Sequence, residues 1–170
     1  TSYNTNVLER LITRLDEKGE NTKGMKKQLL IQSIRAKDLE KTEQLIEKLK
    51  AEGYKLTNGV YALLLELYAI HDKVDEALKI YQQIKTEEPD FKLDDIKALR
   101  LVQALVNNDR LDEALKYLEA NKRENIPDND NFPFNMACWR SLNYLAEKGK
   151  VSEINTLYNS FVENNFATSN

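Results

Sequence analysis

"VYALLLELYAIHDKVDEALKIYQQI", residues 60–84, decides the fold. Leu64, Leu65, Tyr68 and Ala69 follow one another at steps of three and four, and after a polar break Val74, Ala77, Ile80 and Tyr81 do the same. Such steps place side chains on one face of a helix. The stretch therefore reads as two amphipathic helices joined by the short turn "IHDK".

Working outward from Ala77, residues with the same surroundings recur at Leu8, Thr42, Ala114 and Ile154, so that successive anchors are 34, 35, 37 and 40 residues apart. Leu39, Val74, Leu111 and Val151 stand three residues before the last four anchors. Leu11/Ile12, Leu45/Ile46, Ile80/Tyr81, Tyr117/Leu118 and Leu157/Tyr158 stand three and four residues after all five. The preceding helix repeats as well, with Leu29/Leu30 and Ile34, Leu64/Leu65 and Tyr68/Ala69, Leu101/Val102 and Leu105/Val106, and Leu142 and Leu145/Ala146 at matching offsets. Turns fall at "RAKD", "IHDK", "NNDR" and "EKGK". Longer links, "EGYKLTNG", "TEEPDFKLDD" and "RENIPDNDNFPF", carry the Gly and Pro that stop helices. The pattern predicts a lone second helix at about 5–18 and helical pairs at about 24–52, 59–86, 95–123 and 135–164. A pair of this kind cannot bury its apolar face alone, so neighbours stack into a shared core. The expectation is an all-α solenoid forming a single domain over 1–170.

The bulk composition agrees. Of 170 residues, 41% are hydrophobic and 31% charged, while 5 Gly and 3 Pro are too few for a many-stranded sheet. No apolar run approaches the roughly 20 residues that cross a bilayer, so no membrane partner is expected. The start "TSYNTN" lacks Met and any basic or apolar leader, which reads as an excerpt of a longer chain. A single cysteine, Cys138, forms no internal disulfide and fits a reducing or organellar interior. The net charge of −3 argues against nucleic-acid binding through bulk positive charge.

A tetratricopeptide repeat has a Trp near its start and a Gly in its first helix, but here Trp139 is the only Trp and no Gly recurs in the first helices, and HEAT and armadillo units are longer. The quoted stretch instead resembles the pentatricopeptide repeat (PPR), through Tyr61, Leu64/Leu65, Glu76-Ala77-Leu78, Tyr81 and Ile84, and Glu113-Ala114-Leu115 repeats the triplet. The outer pairs keep the apolar skeleton but depart from the motif, as at Lys26 and Thr42. The resemblance implies a right-handed α-α superhelix of PPR-type hairpins. "NGVYALLLELYAIHDKVDEAL", "ALRLVQALVNNDRLDEALKYLEANKRENI" and "ACWRSLNYLAEKGKVSEINTLYNSFVENNF" are similar to the central repeats of the animal leucine-rich PPR-motif-containing family, which includes the insect bicoid stability factor. That resemblance implies a mitochondrial matrix protein that binds single-stranded RNA, stabilises mitochondrial mRNA and promotes its polyadenylation. It also implies a small RRM partner, the stem-loop-interacting RNA-binding protein; separately, the sequence shows no Gly-rich phosphate loop, metal cluster or catalytic triad, so neither cofactor nor enzymatic activity is expected.

PPR proteins line a concave face with their first helices and read one base per repeat. The first-helix windows are locally basic. Residues 24–35 carry +3 from Lys26, Lys27 and Arg35, and residues 96–107 carry +2 from Lys97 and Arg100. Residues 59–70 carry −1 from Glu66, and Arg140 and Glu147 balance in 136–147. The links at 87–95 and 124–135 are acidic, at −4 and −3. Cations concentrated on one face suit a weak single-strand binder, although a solvated helix face carries similar charge.

The family's base-reading positions fall on Gln28 with Asn58, Leu63 with Asp95, Arg100 with Asn135, and Arg140. Leu63 offers no hydrogen bond, and Arg100 and Arg140 suit phosphates better than base edges. The position that packs beside a base falls on Met25, Val60, Lys97 and Ala137, of which only Val60 is typical. Lys26, Lys27 and Lys97 are the candidates for steering phosphates.

Other chemistry reads as structural. His71 sits in a turn without a metal-spaced partner, and Cys138 reads as a buried small hydrophobe. Asp75/Glu76 and Asp112/Glu113 open second helices and answer their dipoles. Trp139 and Tyr144 either pack or stack on bases. Three functions remain open: an RNA-binding segment, a protein-interaction scaffold using the acidic links or the groove, and a structural spacer.

Overall fold

The computed structural model describes residues 2–127 and 132–168. Among them lie nine helices and no strand: α1 (Ser2–Glu17), α2 (Lys23–Arg35), α3 (Leu39–Ala51), α4 (Asn58–Ile70), α5 (Val74–Glu87), α6 (Asp95–Asn107), α7 (Leu111–Ala120), α8 (Phe132–Glu147) and α9 (Val151–Glu163). The lone helix and the four pairs expected from the period are all present. The chain is an all-α helical repeat of the solenoid class.

The anchors explain why. Thr42, Ala77 and Ala114 have no exposed surface, and Leu45, Ile46, Ile80, Tyr81 and Leu118, three and four residues further on, are buried with them. Tyr117 is half-buried and packs edge-on against Tyr81, with ring centroids 4.9 Å apart. Burying the apolar stripes of α3, α7 and α9 against α2, α6 and α8 removes hydrocarbon from water, and this is the main favourable term.

Each hairpin turns in the same way. Lys37, Asp72, Asp109 and Gly149, all five residues before their anchors, adopt left-handed backbone with φ of 60°, 59°, 59° and 71°. The next N–H reaches back over the turn, from Asp38 to the Ser33 carbonyl, Lys73 to Tyr68, Arg110 to Leu105 and Lys150 to Leu145, at 2.8–3.0 Å. This Schellman closure satisfies carbonyls that the ending helix leaves open.

Links are fixed at their ends. Buried Leu56 and Leu93 precede the residues Thr57 and Asp94, whose side chains accept from the Val60 and Lys97 amides at helix starts. Asn121, also buried, accepts from the Leu93 amide at 2.8 Å and donates to the Tyr117 carbonyl at 2.8 Å. Both ends of its amide are therefore used, as a buried polar group requires.

Where the period suggests a single domain, the contacts divide into two compact units, Thr1–Leu67 and Tyr68–Asn170, with the boundary inside α4. In the first unit α2 packs against α1 and α3. In the second, α6 pairs with α7 and α8 with α9, while α6 packs on α8 and α7 on α9, so that first helices form one layer and second helices another. Arg110 ties successive turns there, bridging Asp75 at 2.7 Å and gripping Glu113 through Nε and Nη2, and Lys150 reaches Asp109 at 2.9 Å.

The left-handed turn makes a prediction of sign. Gly149→Ala meets no atom within 4 Å, so its cost is conformational alone, about 1 kcal/mol in urea unfolding. Asp72→Gly at the equivalent position should move stability the opposite way, by up to about 1 kcal/mol.

Candidate functional site

In the first unit, α2 carries Lys26, Lys27 and Gln28. Lys26 is 5% exposed, and its ammonium is held by Asp16 at 3.1 Å and by Glu52. Burial opposes its charge, but the hydrogen bonds it donates to Glu52 and Asp16 outweigh that and raise its pKa above the ordinary value. The Thr22 hydroxyl, then Lys26, hold the Asp16 carboxyl below its ordinary range. The expected phosphate-steering charge at Lys26 is thus committed to two carboxylates of its own unit. Lys27 is half-buried and Gln28 exposed. On α4, Asn58 is half-buried, Val60 is 4% exposed and sits in the core, and Leu63 is half-buried.

In the second unit the candidates fall on α6 and α8, which pack side by side. Lys97 bonds Asp94 at 2.5 Å, so it closes the start of its own helix. Asp95 is held by the Arg123 guanidinium at 2.9 Å. Arg123 also donates to the Asn125 and Asn165 carbonyls, its carbonyl accepts from the Asn165 side chain, and its amide donates to the Asn164 carbonyl. Arg123 therefore joins the start of α6, the end of α7 and the end of α9. Its partners lie 28 and 42 residues away, a distance at which no local pattern would mark it.

Arg100 is half-buried on α6, and Arg140 is exposed at the equivalent place on α8, as is Asn135 at its start. Counting charge overlooks the amides that share these faces at steps of three and seven. Gln103 and Asn107 follow Arg100, both half-buried, and Asn143 follows Arg140, donating to Glu147 at 3.3 Å. Two adjacent first helices thus present an Arg-and-amide stripe each, able to meet phosphates and to exchange hydrogen bonds with base edges. Trp139 is 62% exposed. The acidic link expected at 124–135 includes Asp128 and Asp130, which lie outside the described residues.

Cys138 is buried, its thiol 3.6 Å from the Phe166 carbonyl, and desolvation pushes its pKa up to about 12. It remains a neutral thiol at physiological pH and lacks the thiolate that nucleophilic chemistry needs. Among the described residues no group of three or more His, Cys, Asp or Glu could hold a metal ion, and no helix is long and apolar enough to cross a membrane.

Two outcomes test this. Lys26→Met should lower stability by about 1–3 kcal/mol in urea at pH 7, because charged hydrogen bonds are lost. With the Asp16 pKa lowered and the Lys26 pKa raised, the contribution of the Asp16–Lys26 pair is whole between the ordinary values of 3.8 and 10.5. It is lost as pH falls through the depressed Asp16 value, so the gap between variant and parent should narrow in acid. A thiol reagent at pH 8 should label Cys138 only in denaturant, and rapid labelling of the folded protein would contradict its burial.

Residues 60–88 match the PPR repeat. The chain is also 28% identical over 156 residues to the leucine-rich PPR motif-containing protein, mitochondrial, of Xenopus tropicalis, an alignment covering 92% of this chain and 11% of that protein. The chain thus spans about a ninth of the length of that curated relative. It carries a PPR repeat in its α4–α5 hairpin, and over nearly its whole length it is similar to a mitochondrial protein of leucine-rich PPR motifs.

Proposed function

We propose that this chain is a PPR-type segment that binds single-stranded RNA weakly and electrostatically, as part of a mitochondrial mRNA-binding protein. The observation that carries the reading is the pair of adjacent first helices, α6 and α8, with Arg100 and Arg140 at equivalent positions and amides beside them. Lys27, Gln28 and Asn58 of the first unit and Asn135 of the second complete the candidate contacts. Lys26, Lys97, Asp95 and Val60 have other work, as ion partners or core, and serve the surface indirectly. Guanidinium groups and amides without an aligned base-reading pair favour backbone contact over sequence discrimination. The finer role follows from the resemblance: stabilising mitochondrial transcripts and supporting their polyadenylation in the matrix, alongside a small RRM protein.

A second reading, a protein-interaction scaffold or spacer without direct RNA contact, is favoured by the commitment of Lys26 to Asp16 and Glu52 and of Asp95 to Arg123. Titrating the chain with a short unstructured oligouridylate across a salt series decides between them. RNA binding predicts affinity that weakens as salt rises, with the log–log slope shrinking by about 0.7 for each phosphate contact removed in Arg100→Gln or Arg140→Gln. Absence of binding at low salt would overturn the RNA reading and leave the scaffold.

A further inference from the structure

Asp95 and Arg123 are exceptions to the repeat, and they are exceptions together. Nineteen residues before the last four anchors stand Lys23, Asn58, Asp95 and Asn135, and nine residues after the same anchors stand Ala51, Thr86, Arg123 and Glu163. A carboxylate takes the first position in one repeat only, and a guanidinium takes the second in that same repeat. The fold brings the two into contact, with Arg123 Nε donating to Asp95 at 2.9 Å. Arg123 Nη1 also donates to the Asn125 carbonyl at 2.9 Å and to the Asn165 carbonyl at 3.2 Å. A planar guanidinium pinned to three acceptors is already ordered, so neutralising Asp95 costs little further freedom.

The charges along α6 show what this pair does. Asp94 and Asp95 stand at its start and Lys97 and Arg100 follow, so their formal charges balance. Lys97 is bonded to Asp94, which leaves the Asp95 carboxylate as the anion to be answered. Asp95 precedes Arg100 by five residues. That separation is about 7.5 Å of helix rise, inside the Debye length of about 10 Å in 0.1 M salt. An unanswered carboxylate at this range repels a phosphate that Arg100 attracts, and Arg123 makes the same stretch net positive.

We infer that Arg123 is a positioning residue for RNA binding, a role that rests on the RNA reading above: by neutralising Asp95 at the start of α6 it allows the α6–α8 face to hold phosphate through Arg100. Arg123 acts through Asp95 and needs no contact with RNA of its own.

The test follows oligouridylate affinity at low salt and urea unfolding side by side in the whole chain and three variants. Arg123→Met leaves Asp95 charged and should weaken binding about three- to tenfold. Adding Asp95→Asn should restore affinity to within about twofold of the parent. The urea midpoint should stay low in both variants, because the Asn125 and Asn165 carbonyls have lost the same donor. Asp95→Asn alone puts in the residue that Asn58 and Asn135 supply elsewhere, and should bind at least as tightly as the parent with a steeper salt dependence. It keeps the Arg123 contacts to the backbone, so it tests the charge even where Arg123→Met is poorly folded. A double variant that binds as weakly as Arg123→Met would make Arg123 a structural clamp alone and overturn the inference, with the RNA reading intact. Weaker binding by Asp95→Asn would also overturn it, by making Asp95 a contact in its own right. A parent chain that does not bind at low salt overturns the RNA reading and the inference with it.

Discussion

Thr42, Ala77 and Ala114 have no exposed surface, and this complete burial of the anchor in each second helix is the constraint from which the rest follows. Ala77 and Ala114 are small, and the large residues three and four places on, such as Ile80 and Tyr81, are buried with them. A repeat held this way needs the chain to reverse at a fixed distance from the anchor. The left-handed residue five places earlier, Lys37, Asp72, Asp109 or Gly149, supplies that reversal. Only one of the four is Gly, so packing around the anchor compensates a conformational cost at the other three.

That geometry also decides which polar residues hold the ends of the helices together. Repeat stacking brings the ends of helices together, and unpaired charge there would be costly. Lys26 answers Asp16 and Glu52, Arg110 answers Asp75 and Glu113, Arg123 answers Asp95, and Lys150 answers Asp109. Lys26, Arg110, Arg123 and Lys150 are therefore structural. The RNA reading then rests on groups midway along the first helices, Lys27 and Gln28 in one unit and Arg100 and Arg140 in the other.

The helices, their order and their ends were legible because apolar steps of three and four survive even where the PPR motif decays, as around Thr42. The left-handed turns were legible in place but not in kind, since Lys37 carries no turn signature of its own. The site was less legible. Lys26 lies on a first helix and counts as a surface cation in any window of sequence, but its burial depends on Asp16 and Glu52, 10 and 26 residues away. Asp95 and Arg123 form a pair for the same reason. Charge counting also passed over Gln103, Asn107 and Asn143, whose amides carry no formal charge. The division at residues 67 and 68 left no mark, because α4 runs through it with no Gly or Pro nearby.

The most direct measurement of the central claim is the effect of enlarging the anchors. Ala77→Leu and Ala114→Leu, each measured by urea unfolding, should lower stability by similar amounts, about 1–3 kcal/mol, because both seats are filled. The same side chain placed next door at exposed Glu76 should change it by less than about 0.5 kcal/mol. Equivalent losses at the two anchors would mean that they are one position of one repeat. An Ala114→Leu variant as stable as the parent would contradict that equivalence, and the stacked-hairpin account with it.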